Sequence, residues 1–266
     1  MRGPVETKVG GRGATAPRER QVPAVTRAVA ILRALGRSET PLGVNAIARA
    51  LGLVPSTCLH ILRVLVAEEL VAFDTETKRY ALDAGMLSLA RSAVRRNSFA
   101  EQVQPHLDRI TKQFGFTAVG VQLVGLDHMV VVAISRADQG IQFHVDIGSR
   151  FPALLSATGR CLAAFGDFSG RAIDARFKSL RWAKAPSEEI WRREIAATRE
   201  AGYAIDPGNY IEGVTVLAAP VFGDRGVLGT VVSLVVTEQL RRVGVTTVGE
   251  ELKRAADSVS TRMVGG

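Results

Sequence analysis

Cysteine, histidine and long apolar runs are scarce in this chain, and each shortage removes a class of protein. Its 266 residues contain two cysteines, Cys58 and Cys161, far apart and in unrelated surroundings. That excludes a disulfide framework and any CxxC metal or redox pair. The four histidines (His60, His106, His128, His144) show neither HxxxH nor HxH spacing, so no metal site is expected, and His106, His128 and His144 read as packing or solvated residues. The longest nearly apolar stretch, Gly226 to Val236, is eleven residues and is interrupted by Thr230 and Ser233. A membrane-crossing helix needs about 18–20, so no membrane partner is expected. The basic amino terminus has no apolar segment behind it and does not read as a signal peptide. The expected location is the cytoplasm.

What remains is folded material: 47% hydrophobic and 23% charged residues, enough for one large domain or two modest ones. The net charge of +8 is unevenly spread. Residues 1–98 carry 15 Lys and Arg against 8 Asp and Glu, whereas residues 99–266 carry 19 against 18. A basic module joined to a neutral one suggests that the first meets a polyanion and the second does something else. Residues 1–22, rich in Gly, Pro, Arg and Thr without hydrophobic periodicity, are expected to be a disordered basic tail.

Helical spacing begins at Pro23, with Val25, Ala28, Leu32 and Leu35 before the stop at Gly36. A short helix with Ala46, Ile47, Ala50 and Leu51 closes at Gly52, and a third starts near Pro55. On that third helix Leu59, Leu62 and Val66 are expected inward, with Ser56, His60 and Arg63 outward. The period then shifts from 3.6 to 2: Val71 and Phe73, a turn at 74–77, then Tyr80 and Leu82 predict a β-hairpin with Lys78 and Arg79 near its tip. Three short helices and a hairpin predict a winged helix-turn-helix over 23–84, followed by a linker helix over 85–98. In this geometry Ser56 and Thr57, in the first turn of the third helix, point at base edges together with His60 and Arg63. Lys78 and Arg79 face phosphates or a minor groove.

Residues 99–266 are α+β in texture. Val103, Leu107, Ile110 and Phe114 mark a helix, and Thr117–Val124 and His128–Ser135 a hairpin. A strand at Ile141–Val145 and a helix at Ser156–Phe165 follow, then a helix capped by Ser187 and a second hairpin, 214–222 with 227–236. A closing amphipathic helix carries Val248, Leu252, Ala255, Val259 and Met263. Adjacent strands joined by short turns predict an antiparallel sheet rather than a Rossmann fold.

The stretch Val25-Thr26-Arg27-Ala28-Val29-Ala30-Ile31-Leu32, then Leu51-Gly52-Leu53 and Pro55-Ser56-Thr57, resembles the winged helix-turn-helix of IclR-type bacterial transcriptional regulators. The resemblance persists in Thr77-Lys78-Arg79-Tyr80-Ala81-Leu82, Gly148-Ser149-Arg150-Phe151-Pro152, Ser156-Ala157-Thr158-Gly159-Arg160, Gly202-Tyr203-Ala204-Ile205-Asp206 and Ala218-Ala219-Pro220-Val221-Phe222. It implies a GAF-like carboxy-terminal effector domain and a homodimer or homotetramer that binds double-stranded DNA at a palindromic operator. It also implies an effector pocket formed by Ser156, Ala157, Thr158 and Gly159 at a helix start, with Asp206, Val216, Ser233 and Val235 on the sheet. Val216 stands where the family commonly has cysteine and Val235 where a second serine is common.

Two other readings stay open at this point: an enzyme with an appended DNA-binding domain, and a regulator whose second domain serves only for oligomerisation. Against the enzyme, residues 99–266 have no GxSxG elbow, no GxGxxG after a strand and no P-loop, so no catalytic residue and no cofactor is assigned.

Overall fold

The computed structural model describes residues 22–95, 97–137 and 143–264. The expected tail over 1–22 thus lies, but for its last residue, outside the described residues, as do Ile141 and Gln142 of the expected strand at Ile141–Val145. No strand is formed by 143–145. The chain divides into two compact units between Arg95 and Arg96.

In the first unit α1 (Pro23–Gly36) opens with a proline in its first turn, where no N–H partner is lost. The two-residue strand β1 (Leu42–Gly43) leads into α2 (Val44–Leu51), which ends at Gly52 in a left-handed conformation (φ 63°) open to a residue without Cβ. Helix α3 (Pro55–Ala67) follows, its axis bent from that of α2 by 114°. Strands β2 (Val71–Asp74) and β3 (Arg79–Leu82) form the hairpin, with β1 completing a sheet of order β1-β3-β2. Ile31, Ile47, Cys58, Leu62, Val71 and Tyr80 are buried together. The inward face of α3 is Cys58, Leu62 and Leu65, not the expected Leu59, Leu62 and Val66. Cys58, Leu62 and Leu65 are spaced i, i+4, i+7 and Leu59, Leu62 and Val66 i, i+3, i+7, both compatible with one helix face, but Cys58 is buried while Leu59 and Val66 stay half-exposed. Helix α4 (Gly85–Arg95) closes the unit, with Leu87 72% and Leu89 64% exposed.

The second unit is built on six antiparallel strands. Its elements run α5 (Ser98–Phe114), β4 (Thr117–Val124), β5 (His128–Ser135), β6 (Arg150–Pro152), α6 (Ser156–Phe165), α7 (Gly170–Phe177), α8 (Glu188–Ala201), β7 (Ala204–Asp206), β8 (Val214–Gly223), β9 (Gly226–Val236), α9 (Thr237–Val243) and α10 (Val245–Met263). The strand order is β6-β5-β4-β9-β8-β7. Alternation sends every second residue to opposite faces. Phe99, Val103, Leu107, Leu217, Val231, Val235, Leu252 and Val259 pack one face against α5 and α10. Val119, Val121, Val131, Val216, Ala218 and Val232 form the other, against Ala157 and Cys161 of α6. This second face carries the cavity described next.

Candidate functional site

Along α3 Ser56, His60 and Arg63 are exposed, with Thr57 half-buried beside them. The four lie within two turns of one helix. The hairpin is shaped by Asp74, whose Oδ1 accepts the backbone N–H groups of Glu76 (2.8 Å) and Thr77 (3.1 Å). Those bonds hold the Asp74 carboxyl below its ordinary range. Lys78 sits at the turn in a left-handed conformation (φ 55°), its ammonium 6.0 Å from the Phe73 ring. Arg79 is exposed but not a loose charge: its guanidinium donates to the Pro41 carbonyl (3.1 Å) and so ties the wing to the segment before α2.

In the second unit a cavity of about 350 Å³ opens on the α6 face of the sheet. Its floor is apolar: Val119 and Val121 of β4, Met129 and Val131 of β5, Val216 of β8, and Val232 and Leu234 of β9. Phe143, His144, Val145 and Phe151 form one side, and Tyr210 and Ile211 another. Polar contact is concentrated at the start of α6, where Ser156 and Thr158 reach the wall. Thr158 is engaged, its hydroxyl 3.0 Å from that of Thr230. Ser156 is not: its Oγ is buried without a hydrogen-bond partner, and the residue is held at φ 59°. An unpaired buried hydroxyl costs about 1–3 kcal/mol, and a left-handed non-glycine residue about 1–2 more. Both penalties fall on one residue in the cavity wall. The first turn of α6 adds backbone N–H groups and the positive end of the helix dipole, since no side chain caps that helix.

Of the eight residues expected at an effector pocket, Ser156, Thr158 and Val216 line the cavity. Ala157 is buried beneath it in the core. Gly159 serves packing: a Cβ there would meet the Leu154 carbonyl at 2.1 Å. Asp206 is fully buried beside the cavity wall; its Oδ1 accepts the Asn209 N–H (2.7 Å), which makes it a turn residue. Ser233 and Val235 point away from the cavity, because β9 sends 231, 233 and 235 toward α5 and α10 and sends 232 and 234 inward. A shift of one residue in strand register exchanges the two faces. Val232 and Leu234 are therefore the β9 positions that the sequence reading missed, and the cavity is more apolar than expected. Phe143, Tyr210 and Ile211 were missed because they sit on irregular segments where no periodicity marks them.

Among the described residues no cluster of three or more His, Cys, Asp or Glu could hold a metal ion, and no single helix is long and apolar enough to cross a membrane.

The chain matches the family model for the IclR helix-turn-helix domain over residues 24–75 and that for the carboxy-terminal domain of the bacterial transcriptional regulator IclR over residues 91–261. A glycerol operon regulatory protein of Streptomyces griseus is 29% identical over 207 residues, spanning 77% of this chain and 81% of its own. An IclR transcriptional regulator from Alicyclobacillus acidocaldarius superposes with a TM-score of 0.80 at 27% identity, over 91% of this chain and 98% of its own. An IclR homologue of Microbacterium hydrocarbonoxydans, solved with 4-hydroxybenzoate, shares the fold with a TM-score of 0.73 at 18% identity, over 90% and 98% of the two chains. A winged helix-turn-helix, an antiparallel sheet with helices on both faces and a cavity on one, and both family models in order lead to one conclusion: this chain belongs to the IclR family of bacterial transcriptional regulators.

Proposed function

We propose that the chain is a transcriptional regulator, not an enzyme, whose grip on a palindromic DNA operator is controlled by a small organic effector in the second unit. The observation that carries this reading is the cavity itself, with a mostly apolar lining and the unpaired Ser156 hydroxyl at a helix start. Ser56, Thr57, His60 and Arg63 read bases, and Lys78 and Arg79 meet phosphates. The regulator works as a homodimer or homotetramer, since one winged domain contacts few base pairs. Exposed Val25 of α1 and exposed Leu87 and Leu89 of α4 offer apolar surface for that assembly. A protein acting on chromosomal operators works in the cytoplasm.

The effector has one anionic or strongly accepting end and a substantial apolar or aromatic body. Its accepting end meets Ser156, Thr158 and the free N–H groups of α6. Its body covers Val216, Val232 and Leu234, gaining about 25 cal/mol for each Å² of apolar surface removed from water. A small oxoacid would leave its second oxygen unpaired against those side chains, at about 1–3 kcal/mol. Calorimetry of the full chain against benzoate, 4-hydroxybenzoate, cinnamate, glyoxylate and pyruvate tests this. At least one aromatic acid binds more tightly than either oxoacid, and Val232→Ser with Leu234→Ser moves the preference toward the oxoacids. Tighter binding of glyoxylate or pyruvate by the unaltered protein overturns the effector class.

A further inference from the structure

Behind the cavity wall lies a fully buried arginine that none of the readings above uses. Arg160, one turn after Ser156 on α6, has no exposed surface. Its Nη1 donates to the Ser156 carbonyl (3.0 Å), and its Nε (3.0 Å) and Nη2 (2.7 Å) donate to Glu194 Oε2 on α8. Nη2 also donates to Asn209 Oδ1 (2.8 Å), and Asp206 Oδ2 lies 3.9 Å from Nη1. Two aromatic rings complete the shell: the guanidinium carbon is 4.9 Å from the Trp191 ring and 5.9 Å from that of Trp182.

The partners reach two parts of the cavity lining. Ser156 is its polar pole. Asn209 immediately precedes Tyr210 and Ile211, which stand half-exposed and exposed at its side. Asn209 is itself bound on three further sides: its N–H to Asp206, its Nδ2 to the Lys184 carbonyl (3.1 Å), and its carbonyl to the Lys184 N–H (2.9 Å). The segment carrying Tyr210 is thus anchored through one side chain to the same guanidinium that holds the strained Ser156. A guanidinium has five N–H donors in a planar fork, enough for the four hydrogen bonds made here, whereas an ammonium has three.

We propose that Arg160 is the positioning residue of the effector cavity, fixing the polar pole at Ser156 and the wall at Tyr210 and Ile211 in one network, so that a change at either end is felt at the other and at Trp182 and Trp191. This rests on the cavity being the effector site, but its test needs no ligand, so it can fail while that reading stands. The chain has two tryptophans and both flank Arg160, so intrinsic emission reports on this one place.

Hydrogen exchange and tryptophan emission of the full chain are compared for the unaltered protein, Arg160→Lys, Asn209→Ala and, as control, Arg199→Lys. Arg199 also bridges α8 to α6, through the carbonyls of Ala163 and Ala164, but it is not part of this network. Asn209→Ala removes one arm at a partly exposed loop and keeps the result readable should Arg160→Lys fail to fold. The expected result is faster exchange, by about tenfold for the loss of one hydrogen bond to a charged group, over 154–159 as well as 207–213, with an emission shift. Arg199→Lys leaves both segments and the emission unchanged. Loosening of 207–213 alone in Asn209→Ala, with 154–159 and the emission as in the unaltered protein, overturns the proposal.

Discussion

Ser156 concentrates the cost of building the cavity, and its substitution separates stability from binding. Glycine tolerates φ near 59° without a Cβ penalty and removes the unpaired Oγ, so Ser156→Gly is expected to raise the stability of the ligand-free protein by about 1 kcal/mol. The same change removes the hydroxyl offered to an effector and weakens its binding. Thermal melts with and without the tightest-binding aromatic acid check this; a destabilised ligand-free variant would show that the left-handed conformation is not strained. Legibility at this scale was uneven. The family resemblance implied a pocket at Ser156, Thr158 and Val216, and these three line the cavity. The same resemblance implied Ser233 and Val235, which face the other way, and the run 231–236, apolar but for Ser233, has no alternation of its own to show that.

Elements with a strong period or a glycine stop were legible to the residue: β4, β5 and α6 have the expected bounds, and α5 ends at Gly115 in the left-handed conformation. The elements missed were β1, β6 and β7, of two or three residues each, and the short helices α7 and α9, too brief to display periodicity. Packing between long elements carries its own prediction. His106 of α5 is buried with Nδ1 unpartnered, and burial, then the charges of Arg109 and Arg262, hold its pKa below the ordinary value; nearby Glu251 opposes them. The unfolded chain therefore takes up the proton at higher pH than the folded one. The stabilising contribution is fully present above about pH 6.5 and is lost as pH falls through the lowered folded value. Between about pH 7.5 and 5.5 the melting temperature should fall more steeply for the unaltered protein than for His106→Asn; equal slopes would remove His106 from the account.

For the whole molecule, the charge asymmetry read from the sequence corresponds to a division of labour between two compact units, a basic one with an exposed polar helix face and a near-neutral one with a hollow sheet. The central claim is that the first unit reads DNA through α3 and grips it through the wing. Selection of bound duplexes from a random pool by the full chain, followed by salt titration of the winning sequence, tests this most directly. The account predicts enrichment of one inverted repeat. Lys78→Ala should keep that sequence while weakening binding and lowering the salt slope by about one per lost phosphate contact. Thr57→Ala with His60→Ala should change the selected sequence. Recovery of the input pool without enrichment, or an unchanged selected sequence in the Thr57 and His60 double variant, would contradict it.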